Sequence, residues 1–553
     1  MNNQDKKIYI GAAWPYANGS LHLGHVSALI GADILARYFR LSGADVLYTS
    51  GSDCHGTPIV LAAEQEKVSP DEVAKKYHKE FLETLVGGLK FSYDNYTTTT
   101  TETHIKIVQE FFLKLYQEGN IYLKTQELPF CVECNRFLPD RYIEGECPKC
   151  RYKQARGDQC DECGSMLDPK DLINPRCKQC GSAPEFRETE HFFLKLSGFQ
   201  DKIAEWSKDQ PLWRTNATGF TKKFLNEGIH DRAITRDTKW GIPIPIEGYE
   251  DKSIYVWFEA VCGYFTSSVE WAKINNRPDA WREFWENDEA VHYYVHGKDN
   301  IPFHTIIWPS ILMAYGGLNL PNSIISSEYL TLEHKQFSKS RHWAVWLPDF
   351  LKSYDPDTLR YYLTVNGCET SDADFSWHEY GQRTNKELIG NFSNFIYRTA
   401  QLIEKNFDGK VHNDFNPDAR QTALTDKVIA TFESSGQLIE EGHFREAIRE
   451  IFNLAEEGNR FLAETEPWKS IKSDRETARK DLVVTAQVIS SLIPLISPFL
   501  PQTADKIRDY FKFSINQTWE FSKIDKLEIT ASKPIFARIE DEQIEAEVAK
   551  LGK

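Results

Sequence analysis

The stretch that decides the fold is residues 8–25, IYIGAAWPYANGSLHLGH. Residues 8–14 form an apolar run, which predicts a buried strand, and the Pro, Asn and Gly of residues 15–19 predict a turn. A helix is expected over residues 20–40, ended by Ser and Gly, and a second strand over residues 45–49. This order makes a βαβ unit, which predicts a parallel sheet whose ligands bind at the carboxyl ends of its strands.

A second βαβ pattern lies far downstream. Residues 291–296 are expected to form a strand, Gly297-Lys298-Asp299 its loop, and residues 301–315 a helix. Because a cysteine-rich region lies between the two units, we expect it to be an insertion in one sheet domain. From about residue 382 helical periodicity takes over, and one stripe typical of a bundle core contains residues 388, 392, 395, 399 and 402.

The composition is that of a globular chain. Its 553 residues are 41% hydrophobic and 13% aromatic, which excludes a disordered protein. Because 81 acidic residues outnumber 65 basic ones, the net charge of −16 excludes a uniformly basic nucleic-acid coat, although not a local basic groove. Residues 1–7 give no signal peptide, and the run over 482–500 is interrupted by polar residues and two prolines, which favours a buried helix over a membrane span. We expect a cytoplasmic protein without a membrane partner.

Cysteine spacing predicts metal binding. Eight of the 11 cysteines form four Cys-x-x-Cys pairs, and two such pairs complete a tetrahedral Cys₄ zinc site. Disulfides are disfavoured without a secretion signal, and a redox motif would be a single pair. The short gap between the second and third pairs favours one zinc on the inner set, which would leave the outer set for a second ion. The inner set is Cys147, Cys150, Cys160 and Cys163, and the outer set is Cys131, Cys134, Cys177 and Cys180.

Two short motifs are suited to phosphates. His22-Leu23-Gly24-His25 opens the first helix, where backbone N–H groups and the helix dipole favour an anion. A metal pair or two unrelated histidines would give the same pattern. The lysine of Ser338-Lys339-Ser340 can stabilise the negative charge of pyrophosphate when it is the leaving group of a reaction. The alternative interpretation of this motif is a solvated basic loop. Together, on two βαβ halves, the motifs are more specific than either alone.

The two motifs resemble the HIGH and KMSKS signatures of class I aminoacyl-tRNA synthetases, and longer strings resemble the methionyl-tRNA synthetase family. These strings are residues 13–25, Asp53-Cys54-His55-Gly56-Thr57-Pro58, Tyr255-Val256-Trp257-Phe258-Glu259-Ala260, Gly297-Lys298-Asp299-Asn300-Ile301-Pro302-Phe303-His304, Asn394 to Arg398 and Glu466-Pro467-Trp468. The cysteine pairs fit the zinc-bearing connective insertion of that family. The resemblance extends over essentially the whole chain.

The resemblance implies an α/β fold: a Rossmann-like parallel-sheet catalytic domain interrupted by a zinc-binding insertion and followed by an α-helical bundle that binds the anticodon. The expected boundaries are 1–120 for the first catalytic half, 121–235 for the insertion, 236–325 for the second half, 326–382 for the signature-loop connector and 383–553 for the helical domain.

The resemblance also implies an ATP-dependent, AMP-forming ligase. Methionine would attack the α-phosphate of Mg²⁺-bound ATP to give methionyl-adenylate and pyrophosphate, and the methionyl group would move to the 2′-hydroxyl of the terminal adenosine of tRNA(Met). The first step needs positioning and charge stabilisation more than a protein base. The expected partners are therefore methionine, ATP and tRNA(Met), with one or two structural zinc ions as cofactors and Mg²⁺ accompanying ATP.

Roles for individual residues follow from the same resemblance. His22 and His25 would hold the ATP phosphates and Lys339 the pyrophosphate, and Asp53 would pair with the methionine ammonium. The other expected residues are Gly24, Gly297, Asp299, Ser338 and Ser340 for ATP, Tyr16, Trp257, Tyr264 and His304 for methionine, and Asn394, Arg398 and Trp468 for the anticodon.

The chain departs from the family pattern in several places. Gln336 and Phe337 replace the first lysine and the methionine of the second signature. Val261 replaces a proline, and Trp14 replaces an aliphatic residue, so both are expected to reshape the amino-acid site. The frequent C-terminal tRNA-binding and dimerisation domain is missing, through truncation or natural absence, and a monomer is expected of the chain as it stands.

Three other classes of protein would share part of this pattern. Class I synthetases for leucine, isoleucine or valine usually carry a large editing insertion, for which the cysteine-rich region leaves little room; a cysteine enzyme is a further relative of this class. A small-molecule nucleotidylyltransferase would not need the long helical part. A zinc-ribbon RNA-binding protein without catalysis would not explain the two signatures.

Overall fold

The computed structural model describes residues 3–138, 142–339, 341–513, 517–530 and 533–553. A five-stranded sheet organises the α/β part, and all its neighbouring strands are parallel. From edge to edge the strands are Ser323–Ser327, Val291–Gly297, Lys7–Ala12, Asp45–Ser52 and Asn95–Thr98. The order along the chain reverses beside Lys7–Ala12. Open α/β sheets bind ligands at such a switch point, beyond the carboxyl ends of the strands.

Both faces of this sheet are covered, as a parallel sheet requires. Side chains of Lys7–Ala12 alternate between the faces, so that Ile8 and Ile10 enter one core and Tyr9 enters the other. The first core is formed with helix Leu23–Leu41 and continues into the C-terminal helices. The helices packed in the second core are Glu102–Gln117, Val256–Ile274 and Trp308–Tyr315. Shorter helices of the α/β part are Thr57–Glu66, Pro70–Phe81 and Arg282–Trp285.

The cysteine-rich region is an insertion built on a long antiparallel ribbon. Strands Ile121–Cys131 and Glu185–Leu194 pair along their length, and Arg136–Phe137 and Arg232–Ala233 extend them to a four-stranded sheet. A three-stranded sheet at the tip contains Ile143–Glu146, Ala155–Arg156 and Ile173–Cys177. Two helices, Gln200–Trp206 and Thr215–Glu227, lead back from the ribbon. The core of the tip consists of cysteines and a few apolar residues. So small a core is not stable without an additional cross-link such as a bound metal ion.

A connector joins the second half of the sheet to the C-terminal helices. It contains the parallel strands Leu330–Leu332 and Ala373–Phe375 and the helices Leu347–Ser353, Pro356–Val365 and Trp377–Arg383. The helices that follow are Asn394–Asn406, Ala419–Glu440, Phe444–Thr465, Pro467–Ser473, Arg475–Ile496, Pro501–Tyr510 and Asp541–Val548. Packing between the two parts is close, since a Cβ on Gly31 would lie 2.5 Å from the Phe444 ring.

The fold class expected from the sequence is confirmed, with two local differences. The helix expected over residues 301–315 is divided into a wide turn, Phe303–Ile307, and the α-helix Trp308–Tyr315, because Pro309 has no N–H to continue the ladder. The helical part also contains a small antiparallel sheet of Lys410–His412, Lys526–Ile529 and Phe511–Phe513. These strands are too short for an alternating pattern to reveal. The run expected to be a buried helix lies mainly in Arg475–Ile496. Within the described ranges, none of the helices has the length and apolar content that a membrane crossing needs.

Candidate functional site

The segment of residues 13–25 leaves the carboxyl end of strand Lys7–Ala12 as a loop and continues into the first turn of helix Leu23–Leu41. His22 is the N-cap of Leu23–Leu41. Its backbone N–H donates to Nδ1 of His25 over 3.1 Å, and the two rings are 3.9 Å apart. Since Nδ1 of His25 accepts this bond, the imidazole proton is assigned to Nε2, which can donate to a ligand.

The second signature loop closes over the first. A Cβ on Gly19 would lie 2.7 Å from Nζ of Lys339, so the ammonium lies directly against the backbone of the first loop. Phe337 stacks on the His22 ring at 4.6 Å and 8°. This departure from the family pattern therefore provides a flat contact between the two motifs. Ser338 pairs with Trp343 through backbone hydrogen bonds in both directions, whereas Ser340 lies outside the described residues.

The two histidines at this end are neutral. Burial, and then the positive charge of Lys339, lower the pKa of His25 to about 4. Burial, His25 and Lys339 also hold the pKa of His22 well below its usual value. Neutral imidazoles offer N–H donors to an anion, while Lys339 provides the full positive charge. Gly24 keeps this surface open, since a Cβ there would lie 3.1 Å from the His22 ring.

The five residues expected to bind methionine line one cavity of about 80 Å³ beside the start of the same loop: Tyr16, Asp53, Trp257, Tyr264 and His304. The Tyr264 hydroxyl lies 2.8 Å from Nε2 of His304, whose Nδ1 lies 2.8 Å from the Asn300 carbonyl. Nδ1–H therefore donates to the carbonyl and Nε2 accepts from Tyr264. Burial lowers the pKa of His304 to about 4, so this arrangement is uncharged.

Asp53 is the acidic side chain that lines the cavity. The Asp53 side chain is buried, and its Oδ1 accepts the backbone N–H of His55 over 3.3 Å. Burial, and then the neighbouring Glu259 carboxylate, raise the pKa of Asp53 well above its usual value. A cationic group entering the cavity would favour the ionised carboxylate and reverse this shift.

Trp14, which the sequence analysis expected to reshape the amino-acid site, forms a wall of this cavity. Its ring lies against Gly263, where a Cβ would lie 2.9 Å away, and against Gly51. Val261 and Asn300 line the same cavity. The sequence predicted no role for Asn300, although it lies in the string Gly297 to His304. The sequence of a short loop after a strand does not show which side chain points into a cavity.

The loop after Val291–Gly297 is held by residues from the connector. The Tyr329 hydroxyl donates to Oδ1 of Asp299. Lys298 forms ion pairs with Glu328 at 2.6 Å and Asp372 at 2.9 Å, and its ammonium lies 3.8 Å from the centre of the Tyr329 ring. Sequence reasoning missed Tyr329, since nothing in its local pattern links it to a loop 30 residues earlier.

The eight paired cysteines form two clusters, grouped as the sequence spacing favoured. In each cluster the four Sγ atoms lie within 4.8 Å of one another. Within each cluster, Sγ atoms from different Cys-x-x-Cys pairs lie close together. In the outer set the Sγ–Sγ distances are 3.4 Å (Cys131–Cys180) and 3.9 Å (Cys134–Cys177). In the inner set they are 3.9 Å (Cys147–Cys163) and 3.5 Å (Cys150–Cys160). Tetrahedral Zn–S bonds of about 2.3 Å would put the sulfurs about 3.8 Å apart, so each cluster fits a metal ion.

The three residues expected to read an anticodon come together on the helical part. Asn394 and Arg398 lie one turn apart on Asn394–Asn406, with Asn394 exposed. Trp468 is the second residue of the short helix Pro467–Ser473 and is 36% exposed, which is unusual for so large an apolar ring. The Arg398 guanidinium lies 5.4 Å from the ring centre. This cluster can stack an unpaired base and offer donors to its edge.

Comparison with known families agrees with this geometry. The family model described as tRNA synthetases class I (M) matches residues 8–400. A second model, described as the anticodon binding domain of methionyl tRNA ligase, matches residues 412–552. The chain belongs to the methionyl-tRNA synthetase family. It is thus a methionine–tRNA ligase, as the sequence analysis expected.

Relatives of this methionyl-tRNA synthetase chain match it over nearly the full length. It is 47% identical over 547 residues to a methionine–tRNA ligase of Bacillus cereus, which covers 98% of this chain and 99% of that protein. A methionine–tRNA ligase 2 of Bacillus anthracis is 46% identical with the same coverage. The methionyl-tRNA synthetase of Mycobacterium tuberculosis, solved with bound methionyl-adenylate, has the same fold, with a TM-score of 0.79, 23% identity and coverage of 96% of this chain and 100% of that one.

Proposed function

We propose that this methionine–tRNA ligase carries out adenylate formation along the loop of residues 13–25, with the amino acid at its start and the ATP phosphates at its end. The observation that carries the proposal is the continuity of this loop. Trp14 and Tyr16 line the cavity that contains Asp53, while Gly19 and His22 contact the second signature loop. One short segment thereby brings a carboxylate-bearing pocket next to a cationic phosphate surface.

In this proposal the methionine ammonium pairs with Asp53 and the thioether lies among aromatic side chains. The cavity offers the faces and edges of Tyr16, Trp257 and Tyr264 to the sulfur, a contact that favours methionine over a branched apolar side chain. The Tyr264–His304 hydrogen bond holds one wall at a fixed width. Because both groups are buried and uncharged, they add no competing charge near the sulfur.

At the other end of the loop the residues stabilise charge as the α-phosphate is attacked. His22 and His25 donate N–H groups to the phosphates, and the Lys339 ammonium meets the charge that accumulates on the departing pyrophosphate. Asp299, oriented by Tyr329, is suited to accept from ribose hydroxyls, and Gly297 lets the nucleotide approach the backbone. Gly24 and Ser338 belong to the same surface. The methionine carboxylate attacks in line, so positioning performs most of the catalysis.

The proposal includes two structural zinc ions and one Mg²⁺ ion that accompanies the substrate ATP. Zinc would be held by the two cysteine clusters, where the thiolate sets form closed sites without an open position for chemistry. Mg²⁺ would arrive with ATP and offset the phosphate charge. The chain's own part is to hold the phosphates against the neutral histidines and Lys339.

The function is tested by ATP–pyrophosphate exchange measured with each of the twenty amino acids. We expect exchange with methionine and none with leucine, isoleucine, valine or cysteine. Exchange that depends on another amino acid would retain adenylate chemistry and remove the pocket assignment. No exchange with any amino acid, from protein loaded with zinc, would contradict the proposed reaction.

Replacement of Trp468 by alanine should separate the two halves of the reaction. Stacking of a base on an aromatic ring contributes about 1–3 kcal/mol, so we expect kcat/KM for charging of tRNA(Met) to fall by about fivefold to 150-fold. Methionine-dependent pyrophosphate exchange should stay within about twofold of the parent, because Trp468 belongs to the helical part. Equal losses in both assays would remove the anticodon role; Trp468→Phe, which keeps an aromatic face, is the matched control.

A further inference from the structure

A buried acid–imidazole pair lies next to Asp53. Nδ1 of His55 and Oε1 of Glu259 are 2.8 Å apart, and both side chains are buried. The second carboxylate oxygen of Glu259, Oε2, is also buried and has no hydrogen-bond partner among the residues that the structure describes. A buried oxygen without a partner is costly, so its retention calls for a role beyond packing.

The pair connects the two elements that form the amino-acid cavity. His55 contacts both: its backbone N–H donates to Oδ1 of Asp53, and its ring pairs with Glu259. Glu259 lies in the first turn of Val256–Ile274, between the cavity residues Trp257 and Ala260. The position of Asp53 relative to the aromatic wall therefore depends on this bridge.

Neighbouring groups hold the bridge in place. The Trp240 ring packs edge-on against the His55 ring at 5.5 Å, and its indole N–H donates to the Cys54 carbonyl over 2.9 Å. The Thr99 hydroxyl accepts the backbone N–H of Cys54 over 3.0 Å. The segment from Asp53 to His55 is thus fixed from both sides, which leaves little freedom for the carboxylates to move apart.

The charges of this cluster are unbalanced in favour of an incoming cation. Two acidic side chains, Asp53 and Glu259, lie beside His55, whose backbone N–H donates to Asp53 and whose single imidazole pairs with Glu259. The effect of Glu259 on its neighbour is visible in the raised pKa of Asp53, to which it contributes after burial. In a site shielded from water, a second carboxylate attracts an ammonium group across several ångströms.

We propose that Glu259 and His55 are positioning residues for the amino group of the substrate. Glu259 adds a second negative charge behind Asp53, and His55 fixes the positions of both carboxylates relative to each other. This inference rests on the proposed function, since it deepens the assignment of the same cavity. It predicts that the pair discriminates between ligands with and without an ammonium group.

Glu259→Gln tests the inference, because it removes the charge and keeps the size. Two inhibitors of exchange serve as probes: methioninol, which keeps the ammonium and lacks the carboxylate, and γ-methylthiobutyrate, which keeps the carboxylate and lacks the ammonium. We expect the KM for methionine and the Ki for methioninol to rise about tenfold, and the Ki for γ-methylthiobutyrate and kcat to change by less than about twofold. Equal weakening of both probes, or no change in either, would overturn the proposal.

Two further variants keep the test decisive. Glu270→Gln removes the same charge from the same helix, about 16 Å away along its axis, and should leave both inhibition constants unchanged. Glu259→Asp keeps the charge, so the ratio of the two Ki values should stay within about threefold of the parent, even if the glutamine variant does not fold. A ratio that shifts in Glu259→Asp as much as in Glu259→Gln would contradict a role for the charge. Failure of the parent protein to exchange with methionine would instead count against the proposed function.

Discussion

Lys339→Ala is expected to lower the rate of methionine-dependent pyrophosphate exchange by about two to three orders of magnitude. The Lys339 ammonium lies against Gly19 and beside two neutral histidines, so it is the charged donor of this surface. Its contact strengthens as negative charge moves onto the leaving pyrophosphate, and loss of one such preorganised donor typically costs that much in kcat. The KM for methionine should change by less than about threefold, because Asp53 and the aromatic wall lie at the other end of the loop.

The matched control for this variant is Lys352→Ala. Lys352 lines the same open cleft beside Lys339, but its side chain is 73% exposed and pairs with Asp349. The Lys352→Ala protein should exchange at the parental rate. A Lys339→Ala protein with unchanged exchange, or one in which only the KM for methionine rises, would remove the role assigned to the ammonium group.

The second large effect is expected from loss of a metal ligand in the insertion. Metal analysis should find two zinc ions per chain, and one in the Cys147→Ser protein. Binding of structural zinc contributes about 10–16 kcal/mol in small zinc modules, which is as much as the whole stability of a typical domain. The tip of the insertion has a core of cysteines and few apolar residues, so we expect it to unfold locally and to be cleaved by protease between residues 131 and 180.

The grouping of the cysteines is tested in the same experiment. Cys131→Ser should remove the other ion, and the double variant should remove both. Cys368→Ser is the control, since Cys368 is buried outside the clusters and contacts Ser27. Two retained ions in Cys147→Ser, or two lost in either single variant, would contradict two independent sites.

The sequence was sufficient for the parallel sheet, the insertion and the helical part, because each has a pattern that is local. Short apolar runs predicted strands over residues 8–14 and 45–49, which the structure has as Lys7–Ala12 and Asp45–Ser52. Four Cys-x-x-Cys pairs predicted the two clusters. Patterns of this kind span a few residues, and the backbone geometry they require is the same in any protein.

Which side chains meet was decided by tertiary structure. Phe337 stacks on His22, Tyr329 orients Asp299, and Glu259 reaches His55, although each pair is separated by many residues in the chain. No periodicity encodes such contacts, because they depend on how the strands are ordered in the sheet and on which face of a helix is turned inward.

For this protein the sequence by itself determined which reactive groups are present and on which kind of local element each one lies. They are a carboxylate after a strand, histidines at the start of a helix, a lysine on a loop of the connector and cysteine thiols in pairs. The tertiary structure decided their charge states and distances. Burial lowers the pKa of His22 and of His25, so both are neutral. Burial and the nearby Glu259 carboxylate raise the pKa of Asp53. The physical reason is that desolvation and nearby charges depend on packing from several distant segments, and these come together only when the whole chain has folded.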